Sequence, residues 1–180
     1  MSVELFSQYT VWSGGQTGVD QGALEAAIVL GMPHGGWCPA GRKSESGAIP
    51  QRFLLTEHAS AKYPPRTKKN IQETDGTLIL GKGDFGSQGV GTKLTASIAT
   101  DLCKPMLYEN LSDVFDTRTG LTRALALQKG SCSIRDWLHQ HNIYRLNVAG
   151  SRESSNPGIQ TLTHKFLLYV LFPYRTKDTV

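Results

Sequence analysis

The sequence predicts an α/β fold in three layers, a mostly parallel central sheet flanked by helices, in a single domain spanning residues 1–180. Three observations lead to it. Short apolar runs alternate with segments of helical periodicity, the pattern of successive βαβ units. The segments that follow the strand candidates are rich in Gly, Ser and Thr. The length of 180 residues suits one domain, which at that size buries about 70% of the surface its unfolded chain exposes.

The strand candidates are Tyr9–Trp12, a short one near Met32–Gly35, Phe53–Thr56, Thr77–Leu80, Pro105–Tyr108 and Arg145–Ala149. Between them the apolar spacing turns helical. Val19, Ala23, Ala26, Ala27 and Leu30 share one helix face, and Leu94, Ile98 and Leu102 share another. Arg66 and Asn70 stand four apart on a polar helix. Ser133-Ile134-Arg135-Asp136 reads as a capping box that opens a helix through Trp137 and Leu138. Pro157-Gly158 opens the last helix, and Leu111–Gly130 reads as a loop. That last helix carries seven consecutive apolar residues, Phe166–Phe172. A surface helix has a polar face, so this one is either buried in its own subunit or packed on another; an oligomer is favoured.

Composition narrows the function classes. The chain is 39% hydrophobic and 19% charged, with net charge +4. The basic residues are scattered, Arg66, Lys68 and Lys69 being the tight cluster, which does not make the stripe expected of a nucleic-acid binder. A mild positive excess suits a small anion. Cys38, Cys103 and Cys132 lie far apart, without zinc spacing or an even count for disulfides. No run reaches the roughly 20 apolar residues of a membrane span, and no secretory leader pattern begins the chain. A cytoplasmic protein is expected.

Ligands in open parallel sheets sit beyond the carboxyl ends of the strands. Four segments there carry the same chemistry: "SGGQTGVD" after Trp12, "GGWCPAGRKSESG" over 35–47, "GKGDFGSQGVGTK" over 81–93 and "GSRESSNPG" over 150–158. A helix start offers unpaired N–H groups and a positive dipole end. Glycine ahead of it lets an anion approach the backbone. The hydroxyls of Ser13, Thr17 and Thr92 add donors, so phosphate or a similar oxyanion is the expected guest. "GGQTG" is not the G-x-G-x-x-G dinucleotide fingerprint, and Gly91-Thr92-Lys93 has the wrong order for an NTPase loop. Arg66 and Asn70 could meet a ligand or form a solvated face. Trp37 could stack on a flat ring or pack in the core. Arg42 and Lys43 stand in a glycine loop, and Arg152 could clamp an oxyanion. Glu153 could accept from a ligand or orient Arg152. Cys38 could be a metal ligand or an inert buried thiol. The five histidines form no ligand pair, and no nucleophile–base set is recognisable.

"SGGQTGVDQGALEAAIVLGMPHGGWCPAGRKSESGAIPQRF", "RTKKNIQETDGTLIL", "GVGTKLT" and "RLNVAGSRESSNPGI" together resemble the molybdenum carrier family, over Tyr9 to Phe172. The resemblance implies a Rossmann-like fold related to lysine-decarboxylase-like phosphoribohydrolases and a homo-oligomer, a tetramer. It implies binding of the molybdenum cofactor, a phosphorylated pterin carrying molybdenum, with molybdoenzymes as recipients and no assigned catalysis. Carried over by position, the implied contacts are Gly14, Gly15, Thr17 and Gly18, then Gly36, Trp37 and Lys43, then Arg66 and Asn70. Gly91 and Thr92 follow, and Ser151, Arg152 and Glu153 complete the set. Three positions depart from the patterns of the family and its relatives. Gln21 follows Asp20 where Arg is usual, and Lys69 precedes Asn70 where an aromatic is usual. Thr95 stands where the phosphoribohydrolases carry their catalytic Glu. The rival expectation is a nucleotide-processing enzyme, in which Asp20, Asp75, Asp84 or Glu153 would be the general base, or a nucleotide-sensing module.

Overall fold

The computed structural model describes residues 9–112 and 120–175, with side chains outside 120–127. Five parallel strands form the central sheet: β1 (Thr10–Trp12), β2 (His34–Gly35), β7 (Gly76–Gly81), β8 (Met106–Asn110) and β9 (Arg145–Gly150), in the order β2-β1-β9-β7-β8. Two small ribbons stand apart from it. One pairs β3 (Trp37–Cys38) with β6 (Thr56–Glu57), and the other is a hairpin of β4 (Lys43–Ser44) and β5 (Gly47–Ala48). The helices are α1 (Val19–Val29), α2 (Tyr63–Gln72), α3 (Val90–Asp101), α4 (Gly120–Gln140) and α5 (Ile159–Leu171). Helix α5 packs on α1 and on α4, whereas α2 packs on α3. This is the expected three-layer α/β arrangement.

Burial explains the elements. β7 is buried along its whole length, as a parallel strand covered on both faces must be. In α1, Val19, Ala23, Ala26 and Ala27 are fully buried and Leu30 nearly so. The alanines let α1 lie close to α5; a Cβ at Gly22 would stand 2.5 Å from Gln160 O. The main core joins Leu78, Leu80, Leu146 and Val148 of the sheet to Ile134, Leu138, Phe166, Leu167 and Val170 of the helices. A second, smaller core of Leu24, Cys38, Ile49 and Phe53 holds the 37–57 excursion.

Three sequence expectations are corrected. Ser133 and Asp136 do not cap a helix; they lie in the exposed face of α4, whose Ile134, Trp137 and Leu138 face the core. A Ser-x-x-Asp spacing arises on any solvated helix face. The helix begins at Gly120, so the back of the presumed 111–130 loop is helical; residues 113–119 lie outside the described ones. Phe53 belongs to a turn, and the nearby strand is Thr56–Glu57, which pairs with Trp37–Cys38 rather than with the central sheet. In α3 the deepest positions are Thr92, Thr95, Ala96 and Ala99, with Leu94, Ile98 and Leu102 on its flank. Helix α5 does start just after Pro157-Gly158, with Gly158 in the left-handed conformation. Its apolar run divides: Phe166, Leu167, Val170 and Leu171 are buried, while Tyr169 and Phe172 are about half exposed.

Candidate functional site

The chain leaves β1 towards β2 and leaves β7 in the opposite direction, towards β8, with β9 between them. Connections that diverge from neighbouring strands open a crevice at the carboxyl edge, the usual ligand position in such sheets. Two adjoining chambers occupy it and share Gly91, Gly150 and Arg152 in their walls. The inner one, of about 70 Å³, is lined by residues that include Gln16, Asp20, Tyr63, Arg66, Asn70, Thr95 and Asn147. The outer one, of about 520 Å³, is lined by the 87–92 segment, by 150–152 with Ser155 and Asn156, and by Lys82.

The first glycine loop is a frame. Gln16 N–H donates to Asp20 Oδ2 at 3.2 Å and Thr17 N–H to Gln16 Oε1 at 3.0 Å. Gly18 N–H donates to Gln160 Oε1 at 3.2 Å, and Val19 N–H to Ser151 O at 3.1 Å. Protein acceptors therefore already hold the amides ahead of α1. The glycines serve close approach. A Cβ at Gly14 would lie 1.3 Å from Arg66 Nη1, so this position must be bare for the guanidinium to pass.

That guanidinium meets Asp20. Arg66 Nη1 donates to Asp20 Oδ2 at 3.2 Å, the two side chains being only 11% and 7% exposed. Burial pushes the Asp20 carboxyl above its ordinary range, against the pull of Arg66 and of the Gln16 amide. Two buried donors in the same wall, Arg66 Nε and Gln16 Nε2, have no hydrogen-bond partner.

The outer chamber opens on the start of α3. Gly89 precedes the helix, and no side chain caps it. The first N–H groups of a helix have no intrahelical acceptor. At Gly91 the space is open, with no atom within 4 Å of where a Cβ would be. Thr92 is buried beside it. Gln88 ties the two walls: its Oε1 accepts from Ser151 Oγ at 2.9 Å, and its Nε2 donates to Lys82 O at 2.7 Å. Arg152 is exposed, with its guanidinium 4.8 Å from the centroid of the Tyr63 ring; Arg66 reaches the same ring at 5.9 Å.

The segment after β9 is held from below. Glu153 accepts from Gly158 N–H and, at 2.9 Å, from Gln160 N–H, so it caps α5. From the other side, the β4–β5 hairpin reaches over with Glu45. Its carboxylate accepts from Thr17 Oγ1, from Ser154 Oγ at 2.6 Å and from Ser154 N–H at 3.1 Å. Burial works to raise the Glu45 carboxyl, but these hydrogen bonds and the charge of Arg152 outweigh it and hold the group below its ordinary range. A lowered carboxyl contributes stability that is complete above its unfolded value, about 4.3, and is lost as pH falls through the folded one. The protection factors of the amides of residues 43–48 and 154 are thus expected to fall on acidification below that range, and Glu45→Gln is expected to show low protection already at neutral pH.

The structure brings Arg66, Asn70, Gly91, Thr92, Ser151 and Arg152 to the chamber walls. Gly14, Gly15, Thr17, Gly18 and Glu153 stand behind them. Gly36, Trp37 and Lys43 are not in either wall. Trp37 is gripped by α2, its N–H donating to Asn70 Oδ1 at 2.7 Å and its Nε1–H to Glu73 Oε2 at 2.8 Å. Lys43 is exposed on the hairpin. Arg42 is buried and spends its guanidinium on the carbonyls of Ile49, Pro50, Phe53 and Leu55. Cys38 lies in the small core, where burial raises its thiol. Sequence reasoning did not name Gln16, Tyr63, Lys82, Gln88 or Asn147 as lining. The sequence signal for Gln88 was its place inside the glycine run before α3. Asn147, in the interior of a strand, gave none.

Fold and site define an α/β protein with a polar cleft at the switch point of a parallel sheet. Comparison with known proteins gives the family. Residues 11–171 match the circularly permutated YpsA SLOG family, and the chain belongs to it. The chain is also similar to a protein of known crystal structure from Syntrophus aciditrophicus named "Putative molybdenum carrier protein", with 34% identity and a TM-score of 0.79. That similarity covers 92% of this chain and 96% of the other. No curated protein matches the sequence.

Proposed function

We propose that this protein binds and shelters a small phosphorylated heterocycle, in first place the molybdenum cofactor, in the two-chamber cleft. The observation that carries this reading is an uncapped α3 start beside a roomy outer chamber whose wall also holds Arg152. The amides at Val90, Gly91 and Thr92, with the Thr92 and Ser151 hydroxyls and Arg152, would hold the phosphate. Arg66, Asn70, Gln16 and Asp20 would hold the heterocycle edge. Gly14, Gly15, Thr17, Gly18, Gly36, Trp37 and Glu153 would shape and brace these walls without touching the ligand, and Lys43, exposed on the hairpin, would stand outside them. The cofactor would be cargo, handed on whole with its molybdenum to a molybdoenzyme; the protein's part would be to orient it and exclude water. The name of the structurally similar protein supports this choice of ligand. Thr95 in the inner wall, its Oγ1 donating to Gly91 O at 3.0 Å, puts a hydroxyl where hydrolysis would want a carboxylate.

The test is mass spectrometry of the small molecule released when purified protein is denatured, followed by anaerobic titration with the cofactor. A released pterin phosphate and micromolar or tighter binding support the reading. No binding well above the micromolar range counts against it, and base release from nucleoside monophosphates would favour the enzyme. Arg152→Ala is expected to weaken binding about tenfold or more, the scale of one charged hydrogen bond, with a shallower salt dependence; unchanged affinity would remove Arg152 from the phosphate seat.

We also propose a homo-oligomer, a tetramer, in which a second copy covers Tyr169 and Phe172 beside Leu168. Sedimentation of the wild type and of Tyr169→Glu/Phe172→Glu checks it: the wild type is expected as a tetramer and the variant as a smaller species.

A further inference from the structure

Two arginines approach the ring of Tyr63, and they are held differently. Tyr63 opens α2 and stands, half-buried, in the wall of the inner chamber. Arg66 is buried and tied to Asp20 at 3.2 Å. Arg152 is exposed, in the wall that the two chambers share, with its guanidinium 4.8 Å from the centroid of the Tyr63 ring. Among the described residues that guanidinium makes no hydrogen bond and no ion pair. Its charge acts on Glu45 from a longer distance. A cation free to turn therefore covers a π-face where the two chambers meet. The inner chamber, of about 70 Å³, is too small for a whole ring system. A flat ring joined to a phosphate in the outer chamber meets the Tyr63 face at this junction.

We infer that Tyr63 is the stacking platform for the ligand's flat ring, covered by Arg152 in the free protein and uncovered when Arg152 turns to the phosphate. The inference rests on the phosphate seat proposed above and adds to it a preference for phosphates that carry an aromatic ring. The magnitudes favour this exchange. A cation over an exposed aromatic ring contributes a factor of about 2–5. A hydrogen bond to a charged group contributes a factor of about 10–150, so a phosphate outcompetes the ring for Arg152. A heterocycle stacked on an aromatic side chain contributes a factor of about 5–150, which replaces or exceeds the contact that Tyr63 gives up. An aliphatic phosphate draws Arg152 away and leaves the ring bare.

The test keeps the phosphate and removes the ring. A pterin monophosphate, guanosine 5′-monophosphate, ribose 5-phosphate and inorganic phosphate are titrated calorimetrically into the full chain. The tighter of the two ring-bearing probes is expected to bind at least about fivefold more tightly than ribose 5-phosphate, the low end of stacking. Tyr63→Leu is expected to bring that ratio close to one while ribose 5-phosphate binds as before, and Tyr63→Phe is expected to preserve it. The Arg152 Nε–H resonance, shifted upfield by the Tyr63 ring in the free protein, is expected to move downfield when inorganic phosphate saturates the chain. A wild-type ratio near one with binding intact, an unchanged ratio in Tyr63→Leu, or an Arg152 signal indifferent to bound phosphate overturns this inference alone. If Tyr63→Leu does not fold, the wild-type ratio and the Arg152 signal decide. Failure of every phosphate-bearing probe to bind overturns the phosphate seat and this inference with it.

Discussion

Arg66→Met is expected to destabilise the protein by about 3–5 kcal/mol, the usual cost of removing one partner of a buried ion pair. The pair is deeply enclosed, Asp20 at 7% and Arg66 at 11% side-chain exposure. Without the guanidinium, Asp20 keeps a single main-chain donor, Gln16 N–H, and little access to water. The loss has a predictable pH dependence. Asp20 is already raised in the folded protein by burial. A raised carboxyl favours the folded state while protonated and loses that contribution as pH rises from its unfolded value, about 3.9, through the folded one. Removing Arg66 raises it further, so the penalty is expected to be larger at pH 7 than at pH 5. The double variant Asp20→Asn/Arg66→Met is expected to recover most of the loss. Urea melts at both pH values check this. A single-variant cost below about 1 kcal/mol, the range of exposed pairs, would mean that the pair is hydrated.

The second large effect is expected at Gly18. Its φ is +87°, a region that L side chains rarely adopt. A Cβ there would lie 2.4 Å from Ser151 O and 2.6 Å from Glu153 N, both main-chain atoms of the segment that carries Arg152. Gly18→Ala therefore strains one loop and pushes the other away. Backbone strain and overpacking each cost about 1–3 kcal/mol, and together they place the variant about 2–5 kcal/mol below the wild type. Because Val19 N–H bonds Ser151 O at 3.1 Å, the same change should displace Ser151 and Arg152 and lower affinity for a phosphate-bearing ligand. Full affinity in a folded Gly18→Ala protein would show that the two segments are not coupled.

Much of the fold was legible because parallel sheets write themselves as apolar runs. Thr77–Leu80 and Arg145–Ala149 could be read directly, since both strands are covered on both faces. The α1 face was equally plain from its alanines. Short strands outside the main sheet were not: Thr56–Glu57 has two residues and gains its pairing from the remote Trp37–Cys38. The start of α4 was hidden because Thr117-Arg118-Thr119-Gly120 resembles a turn, while the helix draws its stability from Ile134, Trp137 and Leu138 further on.

The site was legible at the level of loops and less so at the level of atoms. Four glycine-rich segments at one sheet edge pointed to the crevice. Their spacing could not tell which amides remain unclaimed. The answer depends on acceptors remote in sequence: Gln160 takes Gly18 N–H across 142 positions, and Ser151 O takes Val19 N–H. Glu153 shows the same limit, since only the folded loop reveals that it caps α5. Gly14 had a different use again, as clearance for Arg66.

The central claim is that the phosphate seat lies at the start of α3 and not at the start of α1. Backbone amide chemical shifts, followed while a pterin monophosphate is titrated in, test it most directly. The account predicts saturable shifts at Val90, Gly91 and Thr92, accompanied by Ser151 and weakened by Arg152→Ala. Shifts confined to Thr17, Gly18 and Val19, or scattered with no saturation, would contradict it.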